Sequence, residues 1–182
     1  MIWLVIGVVL WAYSHLMKRV TPGFRAGLDD GPGKGVVTVL TLLSLAAMIY
    51  GYKHAAVIPL WEPPAFLRHI NNVLMVIAVL LIGLGSSRGV MRTWLRHPML
   101  TSVKVWALAH LLVNGDLASV ILFGGLMAWA VVDVILINRM EPPWAKPAKG
   151  PVLNDVIYVV LSAVLFGVIV FVHGWLGYPP LG

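Results

Sequence analysis

Cysteine is absent from the 182 residues, which excludes disulfides, thiolate metal sites and cysteine nucleophiles. Charge is nearly as scarce. Asp, Glu, Lys and Arg make up 11% of the chain, less than half the roughly 25% of a soluble domain. Acid is the scarcer sign, with 7 Asp and Glu against 13 Lys and Arg. The six histidines contain no H-x-x-x-H or H-E-x-x-H pair to suggest zinc, and no Ser/His/Asp set suggests hydrolysis. Alternating strand patterns and long internal repeats are also missing, and the similar WEPP and EPPW loops are too short to count. The N-terminal stretch lacks a basic n-region and a small-residue cleavage site, so it reads as a retained first span.

What is present is apolar. The chain is 60% hydrophobic with a mean hydropathy of +0.91. A membrane-crossing helix needs roughly 17 to 25 mostly apolar residues. Six segments come near that length, at about 2–17, 36–52, 66–84, 98–113, 117–138 and 153–176. Between them lie Thr21-Pro22-Gly23, Gly31-Pro32-Gly33, Trp61-Glu62-Pro63-Pro64, Gly83 to Ser87, Glu141-Pro142-Pro143 and Lys149-Gly150-Pro151, all breaker sequences. Only Asn114-Gly115-Asp116 separates the fourth and fifth segments. Gly115 suits a left-handed position after a helix end and Asp116 the next N-cap, which predicts a tight helix hairpin. Every backbone group must be satisfied internally in lipid. The expected fold is therefore all-α: one polytopic transmembrane bundle of about six helices over residues 1–182.

The basic residues orient it. Lys18, Arg19, Arg25, Lys34, Arg88, Arg92, Arg96, Arg139, Lys146 and Lys149 fall in the first, third and fifth loops, and only Lys53 and Arg68 in the others. By the positive-inside rule those three loops are cytoplasmic and both termini lie outside. The net charge of +6 then records topology and is no sign of nucleic-acid binding. Trp3, Trp61, Trp94, Trp144 and Trp175 fall near span ends, as interface anchors do. The partner of such a chain is a lipid bilayer, expected to be the bacterial inner membrane. Loops 22–34 and 141–151 read as flexible connections.

Ionisable residues inside a span need a reason, since each costs on the order of 3 kcal/mol to insert. Lys104 lies roughly 12 Å of helix beyond Arg96. It either snorkels, pairs with Asp133, or faces an anionic group inside the bundle. His110 belongs to a helical row with Ser102, Trp106 and Asn114, read as facing the interior, while Met99, Val103 and Leu111 lie on other sides. A buried, hydrogen-bonded histidine is the plainer reading of His110. His15 ends the first span, His97 opens the fourth beside Pro98, and His54, His69 and His173 map near the outer side. Two histidines on different helices of an apolar bundle also meet the needs of axial haem ligation.

The run RHPMLTSVKVWALAHLLVNGDLASVILFGGLMAWAV (96–131) resembles the signature of the NnrU family of bacterial membrane proteins. So do Ser14-His15-Leu16, Leu60-Trp61-Glu62-Pro63-Pro64 and Leu67-Arg68-His69. That family is named for its association with nitrite and nitric oxide reduction in denitrifying bacteria. It is related to the plant and cyanobacterial zeta-carotene isomerases, which bind haem b. The resemblance implies haem b as cofactor, with His15 and His110 in the positions of the proposed axial ligands. It leaves His97 as a non-primary histidine, and Ala107 where the plant isomerases carry a Cys. Lys104 would then offset a haem propionate. By depth, His15 sits near the cytoplasmic end and His110 about 18 Å from the start of its helix, which keeps His97 as a substitute partner for His15. Three functions follow as alternatives. One is a haem protein of redox or nitrogen-oxide metabolism that meets nitric oxide by exchanging a ligand. The second is a haem-dependent isomerase of a polyene such as zeta-carotene. The third is a haem-free structural or transport protein.

Overall fold

The apolar runs fold as helices. In the computed structural model, which describes residues 1–29 and 33–180, these are α1 (Ile2–Val20), α2 (Pro22–Asp29), α3 (Gly33–Lys53), α4 (Leu67–Ile82), α5 (Pro98–Val113), α6 (Leu117–Met140) and α7 (Val152–Trp175). Gly31 and Pro32, read as breakers, lie outside the described residues, as does the side chain of Lys34. Four helical stretches are long and apolar enough to cross a bilayer: Gly35–Lys53, Leu67–Ser86, Leu117–Met140 and Val152–Trp175. Helix α5 is apolar but shorter. The last two turns of α1 carry Ser14, His15, Lys18 and Arg19, and α1 is not among the four.

Burial is inverted relative to a soluble protein. Ser14, Ser44, Asn71, Ser102, Ser119, Asp133, Asp155 and Ser162 are buried, while Leu43, Val160, Leu161, Val164 and Phe171 are exposed. Helix α7 shows it most plainly, for its only buried residues are Asp155 and Ser162. A face of Val, Leu and Phe turned outward, with carboxylates and hydroxyls among the buried residues, is stable only where the surroundings are hydrocarbon. The protein is a multi-pass membrane protein.

The chain divides into two compact units, Met1–Pro63 with Asn114–Glu141, and Pro64–Val113 with Pro142–Gly182. In the first, α1 packs against both α3 and α6. Gly51 lies against the backbone of Trp3 and Leu4 with no room for a Cβ, and Gly7 approaches Met48 and the Ser44 carbonyl in the same way. Small residues at such crossings let two helix backbones approach closely, which is how helices gain packing energy in lipid. Gly125 of α6 leaves the space that Val8 fills, at 2.6 Å from a hypothetical Cβ. Helix α6 contains a widened π turn at Val120–Gly124, which shifts the face on which later residues fall.

The second unit is held by polar bonds as well as by packing. Ser102 Oγ of α5 donates to the Ala78 carbonyl of α4 at 2.7 Å. Tyr158 Oη of α7 donates to the Leu80 carbonyl at 2.7 Å, in the last turn of α4, where carbonyls lack helical partners. Asp155 accepts the Val90 and Met91 N–H groups at 2.8 and 3.1 Å. Asn154 Nδ2 donates to the Arg88 carbonyl and Gly150 N to the Gly89 carbonyl, so the loop after α4 is fastened to the start of α7.

Two local expectations change. Residues 22–29, read as a connection, form helix α2, with Pro22 as its first residue, where a missing N–H costs nothing. Gly115 is not left-handed: among the described residues Gly177 alone has positive φ. Gly115 is instead needed for close approach, because a Cβ there would meet the Trp61 carbonyl. Its own carbonyl accepts the Leu60 and Trp61 N–H groups at 2.7 and 3.1 Å.

Candidate functional site

The first unit builds a polar and aromatic cluster around His15. The ring stacks on Trp11, one helical turn earlier, with centroids 4.2 Å apart. Trp129 of α6 meets it edge-on at 5.0 Å and is itself perpendicular to Trp11 at 5.7 Å. His15 Nδ1 lies 2.8 Å from the Trp11 carbonyl. A carbonyl only accepts, so this contact requires the proton on Nδ1 and leaves the lone pair on Nε2, the tautomer that binds metals through Nε2. Ser14 Oγ donates to the same carbonyl at 2.9 Å. The indole nitrogens of both Trp11 and Trp129 are buried without a hydrogen-bond partner. In a chain this apolar, two unused donors beside one imidazole are an unexplained expense.

The second unit holds His110 in the same way. Its Nδ1 lies 2.9 Å from the carbonyl of Trp106, one turn earlier, and the two rings are 5.0 Å apart. His173 lies in the last turn of α7, in the same unit. The two arrangements come from one short recurrence, Trp11-Ala12-Tyr13-Ser14-His15 and Trp106-Ala107-Leu108-Ala109-His110. Five residues escape a search for long repeats, yet a W-A-x-[S/A]-H pattern is the signal that ties the two histidines together. The bond to the residue four earlier is not special by itself, since His54 makes it to Tyr50 and His173 to Ile169.

Of the other residues singled out by sequence, Ser102 is buried and bonded, and Trp106, His110 and Lys104 are half-buried on α5. His97 directly precedes α5, and its carbonyl accepts both the N–H and the hydroxyl of Thr101. It stands about 20 Å of helix away from His110, so those two cannot serve one iron. Asn114 lies just beyond α5, in the first unit, and Asp116 caps α6 through the Ser119 N–H at 2.9 Å. Ser119 Oγ also donates to Asp116 at 2.6 Å, so the Tyr52 hydroxyl, 2.9 Å away, donates to Ser119. Asp133 is bound by Arg19 at 3.0 Å, and the other arm of that guanidinium holds Glu141 at 2.9 Å. This pair, missed in the sequence, explains why Asp133 is tolerated in an apolar helix.

Among the described residues no group of three or more His, Asp or Glu side chains converges to hold a bare metal ion. A haem iron asks for less, one or two axial imidazoles, because the porphyrin supplies four nitrogens. Within its own unit, each of His15 and His110 presents one imidazole beside an indole, with Nδ1 bonded to the Trp carbonyl.

An all-helical, multi-pass membrane protein with histidines set this way is the class that fold and site define. The family model described as NnrU protein matches residues 3–180. The chain belongs to that family. No curated relative and no solved structure matches it.

Proposed function

We propose that the protein is an integral membrane haem b protein of redox or nitrogen-oxide metabolism, in the bacterial inner membrane, with His15 and His110 as iron ligands. The recurrent W-A-x-[S/A]-H arrangement supports this reading, because of the six histidines only these two follow a Trp by four residues, one helical turn, and the bond to its carbonyl leaves Nε2 for a metal. Trp11 and Trp129 then form an aromatic wall beside His15, and Lys104 supplies a positive charge for a propionate. When bound, haem supplies a one-electron couple and a site where nitric oxide competes with an imidazole. The isomerase alternative shares the cofactor and adds a polyene substrate. Ala107 weighs against it, for no thiolate stands there to take over the iron.

The test is an optical spectrum of purified full-length protein, oxidised and reduced, beside His15→Ala and His110→Ala. A Soret band weakened or shifted in both variants is the expected result. Wild-type protein that stays colourless after haem supply overturns both haem readings. A band unchanged in one variant removes that histidine from the pair. Isomer change in a supplied polyene would favour the isomerase.

A further inference from the structure

We infer that the second unit carries a binding site for one anionic phospholipid, with its phosphate held at the junction of the loop after α4 and the start of α7. An open cleft of about 280 Å³ lies there, lined on its polar side by Ser86, Ser87, Arg88 and Asn154 and on its apolar side by Ile157 and Leu161. Ser87 lines the cleft and is 9% exposed; its Oγ is buried without a protein partner and is not itself open to the cleft. Arg88 is exposed and its backbone is fixed, since its carbonyl accepts from Asn154 and the following Gly89 accepts from Gly150. A second exposed cation, Lys149, immediately precedes Gly150, whose N–H is bonded to the Gly89 carbonyl. The nearest carboxylate, Asp155, is occupied by the Val90 and Met91 N–H groups, which lessens its repulsion of an anion.

The apolar wall decides the source of the phosphate. Ile157, Leu161 and Leu165 are 49%, 61% and 43% exposed and follow one another at helical spacing, a column about 12 Å long. That column runs from the cleft along the outer face of α7, where an acyl chain would lie below its own headgroup. Trp94, in the same loop as Arg88, is 62% exposed, as an interfacial tryptophan is. Basic pockets at the ends of transmembrane helices take anionic headgroups for this reason: guanidinium and hydroxyl donors meet the phosphate while the tails stay in hydrocarbon. This site is independent of the haem reading.

The experiment is native mass spectrometry of the full-length protein in detergent, titrated with dioleoyl-phosphatidylglycerol, dioleoyl-phosphatidylcholine or inorganic phosphate. One phosphatidylglycerol should bind in preference to phosphatidylcholine, and millimolar phosphate should not displace it. Arg88→Gln should weaken that adduct about fivefold, the share of one basic group at a membrane surface. Arg88→Lys should keep most of the binding, Ser87→Ala should weaken it less than Arg88→Gln, and Arg25→Gln on the other unit should leave it unchanged. Equal binding of the two lipids, or an equal loss in Arg25→Gln, overturns the site. Displacement by phosphate overturns the lipid as its ligand.

Discussion

Replacing Asp155 is the sharpest test of how the second unit is held together. The residue is 8% exposed, and each of its carboxylate oxygens accepts one backbone N–H, from Val90 at 2.8 Å and Met91 at 3.1 Å. Asp155→Ala leaves both donors without their acceptor. Each orphaned donor costs about 1–3 kcal/mol if it stays dry. The position lies in the first turn of α7, where a carboxylate also gains about 0.3–1 kcal/mol from the helix dipole. Against this stands the desolvation of the carboxylate, which the alanine variant no longer bears. Water reaching the emptied site lowers the loss further, so a net destabilisation of about 2–3 kcal/mol is expected. Asp155→Asn keeps one acceptor oxygen and turns an NH₂ towards the other donor, so about half that loss is expected. The assay is equilibrium unfolding of full-length protein in mixed micelles, followed by tryptophan fluorescence as SDS is raised. An alanine variant within about 0.5 kcal/mol of wild type, or an asparagine variant less stable than the alanine one, would refute the reasoning.

Two further substitutions probe the first unit. Gly51→Ala puts a methyl group into the backbone of Leu4, and the α1–α3 crossing should loosen by about 1–3 kcal/mol in the same assay; an unchanged midpoint would mean that the two helices do not depend on this approach. Trp129→Phe removes an indole N–H that has no partner, so haem-free protein should lose less than about 1 kcal/mol despite the smaller ring; a larger loss would show that the N–H is satisfied.

Much of the fold was legible because hydropathy and breakers act locally. The six apolar segments match α1, α3, α4, α5, α6 and α7 to within a few residues, and Asp116 caps α6 as its position before Leu117 suggested. The failures share a cause: they depend on what lies opposite a residue. Gly115 looked like a turn glycine, but its neighbour is the Trp61 carbonyl. The hold of Arg19 on Asp133, 114 residues apart, left no local signal. The helix at 22–29 was hidden because Pro and Gly read as breakers, although proline in a first turn starts helices. The candidate histidines were visible, whereas the bond that sets their tautomer needed the helix backbone, and the aromatic edge from Trp129 needed α6 packed on α1.

Inverted burial changes where function should be sought. In a soluble protein an apolar core is mute and the polar surface is informative; here the apolar surface is mute and each buried polar group asks for an account. Most have one within the fold. Asp133 answers to Arg19, Asp155 to two N–H groups, Ser102 and Tyr158 to carbonyls of α4, and Ser119 to Asp116. Apart from Arg92 Nε, the side-chain atoms among the described residues that stay buried and unpaired are Trp11 Nε1, Trp129 Nε1 and Ser87 Oγ. The first two belong to the rings packed on His15, and the third to a serine in the wall of the cleft beside Arg88. Like Arg92 Nε, these donors have no acceptor within the fold, and they belong to residues beside the two proposed ligand sites, so those sites are where substitution should first be tried.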